Sequence, residues 1–576
     1  MQGVAKESSP LKNLLRLLFV LTQWASDFKG LRSTFITAVL AGLLAGLSNI
    51  AMIAIINSVL AKGISQSKIL SFAGLCVVIP LTGFISQMLL IRLTAHATRD
   101  LRIRLSQQIL SAPYRLLEEV GIHRLLSTIT DDITSVTTGI GDLPYLGTQF
   151  AVIAGCLVYL GWLSWPLLLL VLGFMVLGIL TYQLPTIKSV HYFRKMREDW
   201  DASFKGFRGL TEGIKELKLN RDRRSAFMAQ ELKPAINGVY RHGVLAYTIA
   251  NAASNWGQSL FFLLIGLILF LGPWLARVDH QVLTGYTLTV LFMISPLSAV
   301  LYTLPALGRA HVAAEKVNAL GLSLTARPGE EDAPVKQIRS WNKLSMNRLI
   351  HAYRKDGTPN EFRLGPIDLV FYPGEIVFII GGNGSGKTTL TKLLIGLYEP
   401  DEGTIALDGK AITSENRDNY RQFFSVVFSD FYLFERLYGL NHTELKARTE
   451  QYLQRLQLAH KLCIEEGKFS TIELSQGQRK RLALLTAYLE DRPIYIFDEW
   501  ASDQDAVFKQ IFYYEILPEL KARGKAVIVI SHDDRYYGVA DRIIKLDRGR
   551  IEYDQQTAVS IFAKNDSVAV APLSQS

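Results

Sequence analysis

Long runs without a charged side chain fill most of the first half of the chain. Asp, Glu, Lys and Arg are absent from five stretches, which cover residues 33–61, 69–91, 143–187, 242–276 and 280–308. A membrane-spanning helix needs roughly 20 apolar residues. Four runs therefore suit one helix each, and the longest suits two, with a turn at Trp162-Leu163-Ser164-Trp165-Pro166 whose aromatic rings are typical of a membrane interface. A buried core helix explains one such run but not five, so the pattern predicts six membrane-spanning helices.

The basic residues between these runs predict the orientation of the helices. The loops after the second and fourth spans carry eighteen Lys and Arg residues between 99 and 124 and between 188 and 241, whereas the opposite side carries only Lys62, Lys68 and Arg277. Lys and Arg accumulate on the cytoplasmic side of membrane proteins. The two long loops, the N-terminus and everything after the sixth span are therefore expected in the cytoplasm. Both loops should be helices that continue out of the membrane, with breaks at 111–114 and 211–213.

The second half lacks such runs and reads as a soluble domain. We expect an amphipathic segment on the membrane surface at 1–33, a transmembrane domain at 34–310, a linker at 311–340, a soluble domain at 341–563 and a disordered tail at 564–576. Lys29 and Arg32 interrupt the first apolar stretch. No cleavable signal peptide is therefore expected.

The amino-acid composition agrees with a membrane protein that carries a soluble domain. The net charge is +10 and 49% of residues are hydrophobic, with a mean hydropathy of +0.19. Basic cytoplasmic loops account for the charge, so we expect membrane lipids and no nucleic acid as partners. The three cysteines form no CxxC pair, which indicates neither a disulfide framework nor a zinc site.

A phosphate-binding motif follows an apolar strand in the soluble domain. Residues 381–388 fit the pattern GxxxxGK[ST] after the strand Ile376–Ile380 and before a helical run. In such a loop, backbone N–H groups surround phosphates, Lys387 reaches the terminal phosphates and Thr388 can bind Mg²⁺. The predicted nucleotide ligands are Gly381, Gly382, Asn383, Gly384, Ser385, Gly386, Lys387, Thr388 and Thr389.

Two further strands end in polar residues. Residues 494–497 are apolar and lead into Asp498 and Glu499, while Val527–Ile530 leads into Ser531 and His532. Asp498 suits Mg²⁺, and Glu499 suits a general base that activates the attacking water. A lone histidine at a strand end is often structural, but after a phosphate-binding loop we favour His532 as a sensor of the γ-phosphate.

A short turn, Ser475-Gln476-Gly477-Gln478, precedes a basic run that reads as a helix. Ser475 is placed to cap the helix N-terminus. Helix N-termini attract anions, so this turn is a further candidate for binding phosphate.

Together these segments resemble the ATP-binding cassette (ABC) family over the whole chain. The resemblance implies a half-size exporter: a polytopic α-helical membrane domain with six transmembrane helices of the ABC exporter type, plus an α/β P-loop nucleotide-binding domain. Ser475–Gln478 resembles the signature turn, usually LSGGQ, with Gln476 in place of a glycine. Residues 498–505 resemble the catalytic strand end and D-loop, in which Ser502 and Asp505 match while Trp500, Asp503 and Gln504 are unusual.

The resemblance also implies ligands and partners. ATP and Mg²⁺ are expected, with Tyr353 stacking on adenine and Ser475, Gln476, Gly477, Gln478 and Asp505 contacting nucleotide. One cassette and six spans imply a homodimer, in which Ser475 grips the ATP of the other copy. Ser429 stands where the family has a glutamine that touches Mg²⁺, so the expected metal ligands are Thr388, Asp498 and Ser429, with Asp430 as a neighbour.

The spelling of several motifs further resembles bacterial exporters of cyclic peptides and siderophores, of the syringomycin and pyoverdine type. GGNGSGKTTL, VFSDFYLF, DEWASDQD and ISHDDRYY carry this likeness. It implies export of a peptide or siderophore across the bacterial inner membrane. A lipid flippase or multidrug exporter is the alternative. A membrane-tethered regulatory ATPase is disfavoured because Glu499 and His532 are intact.

Overall fold

The computed structural model of the chain describes residues 31–276, 279–324, 340–353, 362–440 and 442–557. The amphipathic segment expected at 1–33 falls almost wholly outside the described residues, as do half of the linker expected at 311–340 and the whole tail expected at 564–576. The chain divides into two units. One comprises residues 1–106 and 123–321, and the other comprises residues 107–122 and 322–576.

Long helices joined by a few short ones make up the first unit. In chain order the helices are α1 (Leu31–Lys62), α2 (Gln66–Ser111), α3 (Tyr114–Val120), α4 (Ile122–Ser127), α5 (Ile133–Leu163), α6 (Trp165–Glu212), α7 (Ile214–Leu219), α8 (Arg221–Phe227), α9 (Lys233–Ala276) and α10 (His280–Leu324), and α3 belongs to the second unit. Within the described ranges, six helices are long and apolar enough to cross a membrane. The prediction of six spans is thus confirmed, as are the breaks after Ser111 and Glu212.

Close helix contacts hold the first unit together. A Cβ atom on Gly42 would lie 2.3 Å from the Thr148 side chain, and one on Gly155 would lie 2.4 Å from Ile50. Glycine therefore lets α1 and α5 approach closely, which matters in lipid because packing replaces the hydrophobic effect as the force between helices. The Tyr286 hydroxyl donates to the carbonyl oxygen of Leu160 at 2.7 Å and so fastens α10 to the end of α5.

The second unit contains two main sheets. Its remaining elements are β1 (Leu344–Tyr353), β2 (Phe362–Phe371), β3 (Ile376–Ile380), α11 (Lys387–Leu394), β4 (Glu402–Leu407), β5 (Lys410–Ala411), α12 (Arg417–Arg421), β6 (Phe424–Val427), α13 (His442–Arg455), β7 (Ile464–Glu465), β8 (Lys468–Phe469), α14 (Gln476–Glu490), β9 (Ile494–Asp498), α15 (Ala506–Ile511), α16 (Leu517–Ala522), β10 (Ala526–Ile530), β11 (Arg542–Asp547) and β12 (Arg550–Gln556).

The larger sheet has the order β12-β11-β3-β10-β9-β6, and every neighbouring pair except β11–β12 is parallel. All residues of β3, β9 and β10 are buried. Burial on both faces explains why these strands read as continuous apolar runs rather than alternating ones. An antiparallel sheet, β2-β1-β4-β5, completes the α/β domain.

Candidate nucleotide-binding and hydrolysis site

The parallel sheet brings the predicted catalytic segments to one edge. Strand β10 lies between β3 and β9, with Ile530 opposite both Ile379 and Asp498. Parallel strands end at the same edge, which is where open α/β sheets bind ligands. The phosphate-binding loop after β3, the acids after β9 and His532 after β10 therefore meet, although the loop precedes the other two by more than a hundred residues in the chain.

The loop itself depends on glycine at two positions. Gly381 has φ +151°, and a Cβ atom there would lie 2.3 Å from the Leu546 carbonyl oxygen. Gly386 has φ +103° at the start of α11, and a Cβ atom there would lie 2.8 Å from Leu364. Both positions exclude a larger side chain, so the backbone can curl close to a ligand.

A pocket of about 460 Å³ opens in front of this loop. Its lining consists of Phe362, Asn383, Gly384, Ser385, Gly386, Lys387, Thr388, Thr389, Lys392 and Glu499. Phe362 was missed by the sequence reading, although it pairs with Tyr353 across the β1–β2 hairpin. The Tyr353 side chain, predicted to stack on adenine, lies outside the described part of the chain.

Lys387 closes over the loop. Its Nζ donates to the carbonyl oxygens of Gly381 at 2.9 Å and Gly382 at 3.0 Å. Burial lowers the pKa of Lys387, against an opposite effect of Glu499 and Asp498. The Ser385 hydroxyl is buried without a hydrogen-bond partner among the described residues. Because an orphaned buried hydroxyl is costly, the Ser385 hydroxyl is suited to donate to a phosphate oxygen, as the sequence predicts.

Asp498 fits a cation site. The residue is 2% exposed, and its Oδ2 has no hydrogen-bond partner among the described residues. Burial, Glu499 and Asp430 raise the pKa of Asp498 to about 6, while a hydrogen bond with Ser429 opposes them. No group of three or more His, Cys, Asp or Glu side chains with metal-site geometry occurs in the described ranges. That pattern suits Mg²⁺, which binds through few protein ligands together with substrate phosphates.

Glu499 stands between the pocket and His532. Its Oε1 lies 3.0 Å from His532 Nε2, and both side chains are partly exposed. Its backbone adopts φ +50°, an uncommon conformation for a residue with a Cβ atom. The carboxylate therefore reaches the pocket edge with a histidine beside it, an arrangement able to take a proton from an attacking water.

The turn Ser475–Gln478, which resembles the family's signature turn, lies outside the pocket at the phosphate-binding loop. Ser475 caps α14 as predicted: its Oγ accepts from Gln478 N at 3.4 Å, and Gln478 Oε1 accepts from Ser475 N at 3.2 Å. None of the residues from Ser475 to Gln478 lines the pocket at the phosphate-binding loop. Asp505, the other predicted nucleotide contact, caps α15 by accepting from Phe508 N at 2.8 Å and binds Arg481 at 2.5 Å.

A second group of residues escaped the sequence reading. Glu118 in α3 accepts from Lys392 Nζ at 2.6 Å and from the Tyr398 hydroxyl. Beside it, Arg115 Nη1 lies 3.3 Å from Asp401 Oδ1. Lys392 belongs to α11, the helix that the phosphate-binding loop begins. The segment that follows α2 is therefore joined by ion pairs to the nucleotide site, through residues about 280 positions apart that no local pattern could relate.

Two family profiles match the chain. The profile described as "ABC transporter transmembrane region" matches residues 32–297, and the profile described as "ABC transporter" matches residues 364–502. The chain is also 36% identical to "ATP-binding protein SyrD" of Pseudomonas syringae pv. syringae, over 95% of this chain and 97% of that protein. The chain belongs to the ABC transporter family.

Other similar proteins include a flippase and an exporter of known structure. An "ATP-dependent lipid A-core flippase" of Cupriavidus pinatubonensis is 27% identical over 90% of each chain. A solved structure of "a bacterial Atm1-family ABC exporter with ATP bound" has the same fold, with a TM-score of 0.71 at 17% identity, over 95% of this chain and 100% of that chain. The protein is thus a half-size ABC exporter and an ATPase coupled to transport.

Replacing the expected base should stop turnover without stopping binding. We expect Glu499→Gln to bind ATP and to hydrolyse it roughly 10²–10⁴-fold more slowly, because a general base contributes that much. Single-turnover hydrolysis and equilibrium ATP binding by the purified protein measure the two effects. Near-normal turnover would remove Glu499 from the role of base.

The Mg²⁺ concentration needed for half-maximal ATPase activity should rise at acidic pH, and the pH at which it rises should depend on the charges around Asp498. Since the pKa of Asp498 is raised to about 6, its carboxylate becomes protonated below that pH and binds Mg²⁺ more weakly. Asp430→Asn removes a charge that raises this pKa, so the rise in the Mg²⁺ concentration needed for half-maximal ATPase activity should move to lower pH. Asp418→Asn, an exposed carboxylate elsewhere in the domain, is the control. If the Mg²⁺ requirement rises at the same pH in the native protein, Asp430→Asn and Asp418→Asn, Asp498 is not the Mg²⁺ ligand.

Proposed function

We propose that two copies of this chain form a homodimer that exports a peptide or siderophore across the bacterial inner membrane by alternating access. The motif spelling resembles exporters of cyclic peptides and siderophores. In support, identity to SyrD is 36%, against 27% to the flippase of Cupriavidus pinatubonensis. The proposal depends most on one feature of the membrane unit, a polar face on α9.

The polar face of α9 consists of Asn251, Ser254, Asn255 and Gln258, spaced at i, i+3, i+4 and i+7 within a predicted span. All four side chains are exposed on the single chain. Among the described residues, no side chain hydrogen-bonds the amides of Asn251, Asn255 or Gln258. Lipid cannot satisfy such groups, so they belong against protein or a water-filled cavity. Uncharged donors and acceptors suit the backbone amides of a peptide.

A cleft between α2 and α5 combines polar and apolar side chains. It measures about 550 Å³ and is lined by Gln87, Leu90, Ile91, Thr94, Ala95, Thr98, Thr138, Gly141, Asp142 and Tyr145. Amide, hydroxyl and carboxylate groups here offer acceptors to a polar substrate, whereas an acyl chain gains nothing from them. Leu90, Ile91 and Ala95 add apolar surface beside these groups, so the lining fits a substrate that has both polar and apolar parts.

A lipid flippase is the second candidate. Relatives named lipid A-core flippases match this chain at 24–27% identity over 79–90% of its length. Flippases and peptide exporters can be separated by which compound stimulates ATP hydrolysis in liposomes. Stimulation by lipid A and not by a cyclic peptide would replace the proposal with this candidate.

The arrangement of the nucleotide site supports pairing of two copies. Lys387, Asp498, Glu499 and His532 converge within one chain, but Ser475–Gln478 remain away from that pocket. A second copy placed head to tail would bring its Ser475 turn to the open side of the phosphates. In the proposed site Thr388, Asp498 and Ser429 bind Mg²⁺, which neutralises charge on the phosphates when bound. Glu499 takes the proton of the attacking water, and His532 contacts the γ-phosphate.

The contact between Glu118 and Lys392 supplies a path for coupling. Burial raises the pKa of Glu118, but hydrogen bonds from Lys392 and Tyr398 outweigh burial and lower it from its ordinary value. The Glu118 carboxylate is thus ionised and paired at neutral pH. Because Lys392 lies one turn beyond the phosphate-binding residues of α11, a shift of that helix on binding ATP pulls on the segment that continues α2.

Mixed dimers test the shared site. Lys387→Ala and Ser475→Arg should each damage both sites of their own homodimer. In a co-purified mixed dimer the two lesions fall on the same ATP site, which leaves the other intact. Counting tightly bound nucleotide in such dimers should therefore give one site per dimer. Equal damage to both sites would show that each chain completes its own site.

Removing the polar face of α9 tests the cargo. We expect Asn251→Leu, Asn255→Leu and Gln258→Leu together to abolish stimulation of ATPase activity by a cyclic peptide in liposomes, while basal activity is largely kept. The control is Thr82→Val with Thr181→Val, whose hydroxyls donate only to carbonyls of their own helices. Peptide stimulation that survives the triple change would place the substrate elsewhere.

A further inference from the structure

Three residues after Glu499 that depart from the family motif, Trp500, Asp503 and Gln504, contact the first two turns of α14, which contain the fourth departure, Gln476. Gln476 Nε2 donates to Asp503 Oδ2 at 3.1 Å, and Trp500 Nε1 donates to the Lys480 carbonyl oxygen at 2.8 Å. Gln504 Nε2 donates to the Gly477 carbonyl oxygen at 3.0 Å, while its Oε1 accepts from Arg481 at 2.9 Å. The departures are therefore not independent, since they form one network between the signature turn and the segment after Glu499.

Lys480 lies at the centre of this network. Its side chain is 2% exposed, and the ammonium group donates to the Glu499 carbonyl oxygen at 2.9 Å and to Ser502 Oγ at 3.0 Å. Its Nζ also lies 2.7 Å from Asp503 Oδ2. An ammonium group has three donors, and here each one has a partner. A buried charge is tolerated only when it is paired in this way, so the position of Nζ is tightly defined.

The partner that matters most is the backbone of the expected base. Glu499 has φ +50°, a left-handed conformation that residues with a Cβ atom rarely adopt without support. Its carbonyl oxygen accepts from Lys480 Nζ and from Ser502 Oγ, the latter at 2.7 Å. On its other side, Glu499 N donates to the Ile530 carbonyl oxygen at 3.0 Å. The peptide units that flank Glu499 are thus fixed from β10 on one side and from α14 on the other.

We propose that Lys480 is a positioning residue for hydrolysis: its buried ammonium group holds Glu499 in the left-handed conformation that aims the carboxylate at the attacking water. The proposal rests on the proposed role of Glu499 as base. Through Asp503 the same ammonium group also reaches Gln476 in the signature turn. The turn expected to grip one ATP is therefore rigidly linked to the base expected to hydrolyse the other.

Kinetics can separate positioning from a merely structural role. We expect Lys480→Met, in full-length protein, to lower kcat for ATP at least tenfold while the equilibrium affinity for a fluorescent ATP analogue changes less than twofold. The matched control is Lys525→Met in the same domain. Lys525 Nζ likewise donates to a backbone carbonyl oxygen, that of Asp491 at 3.1 Å, and lies 3.0 Å from the Asp491 carboxylate. That control should keep kcat within twofold even where its melting temperature falls.

A double-mutant cycle with Glu499→Gln gives the sharper test. If Lys480 acts by placing Glu499, then Lys480→Met should cost little further activity once the carboxylate is gone. A purely structural lysine would lower the residual activity of Glu499→Gln by the same factor as it lowers that of the native protein. Equal factors in the two backgrounds would overturn the proposal, as would native kcat in Lys480→Met.

A milder pair of variants covers the case in which Lys480→Met does not fold. Lys480→Gln keeps one donor without the charge, and Ser502→Ala removes the other side chain bonded to the Glu499 carbonyl oxygen. Each should lower kcat severalfold at unchanged nucleotide affinity, and unchanged kcat in both would also overturn the proposal. None of these measurements needs an exported compound, so failure to export peptides leaves them interpretable. If Glu499→Gln alone retains native turnover, the proposed base fails, and the positioning role fails with it.

Discussion

The constraint on which the cassette depends is the burial of three neighbouring parallel strands. Because β3, β10 and β9 are covered on both faces, their sequences are almost wholly apolar, and polar chemistry can begin only where they end. Their register brings those ends together, so that the phosphate-binding loop, Glu499 and His532 share one edge. The site follows from the sheet, and no long-range pairing of the catalytic side chains was needed to build it.

Buried polar groups in this domain fall into two sets. Lys480 has all its donors paired, and it contributes rigidity to the segment after β9. Asp498 Oδ2 and the Ser385 hydroxyl are equally buried and have no partner among the described residues. Since an unpaired buried polar group is costly, these two atoms at the end of β9 and in the phosphate-binding loop are consistent with the proposed Mg²⁺ and phosphate contacts. Burial and the neighbouring carboxylates Glu499 and Asp430 raise the pKa of Asp498.

The proposed coupling between membrane helices and nucleotide depends on one short segment of the chain. Residues 107–122, which follow the second span, group with the cassette rather than with the membrane helices. Glu118 pairs there with Lys392 in the helix begun by the phosphate-binding loop. The family's usual coupling position is Ser429 in this chain, a shorter side chain whose hydroxyl bonds Asp498. The ion pair between Glu118 and Lys392 therefore joins the segment after the second span to α11 within one unit, and it is the structural basis of the proposed coupling.

The sequence alone determined the number of spans, the helix breaks after Ser111 and Glu212, the three buried strands and the capping of α14 by Ser475. These features depend on local composition and spacing, which a chain displays without being folded. Only the tertiary structure decided that Glu118 meets Lys392, that Phe362 borders the nucleotide pocket, and that Lys480 binds the backbone of Glu499. Each of these contacts joins residues that are far apart in sequence or that belong to no recognisable motif. Lys480 lies in a basic helical run, and nothing in that run predicts that its side chain is buried. Tertiary packing decides which side chains are buried and which residues they contact, and no local sequence pattern predicts it.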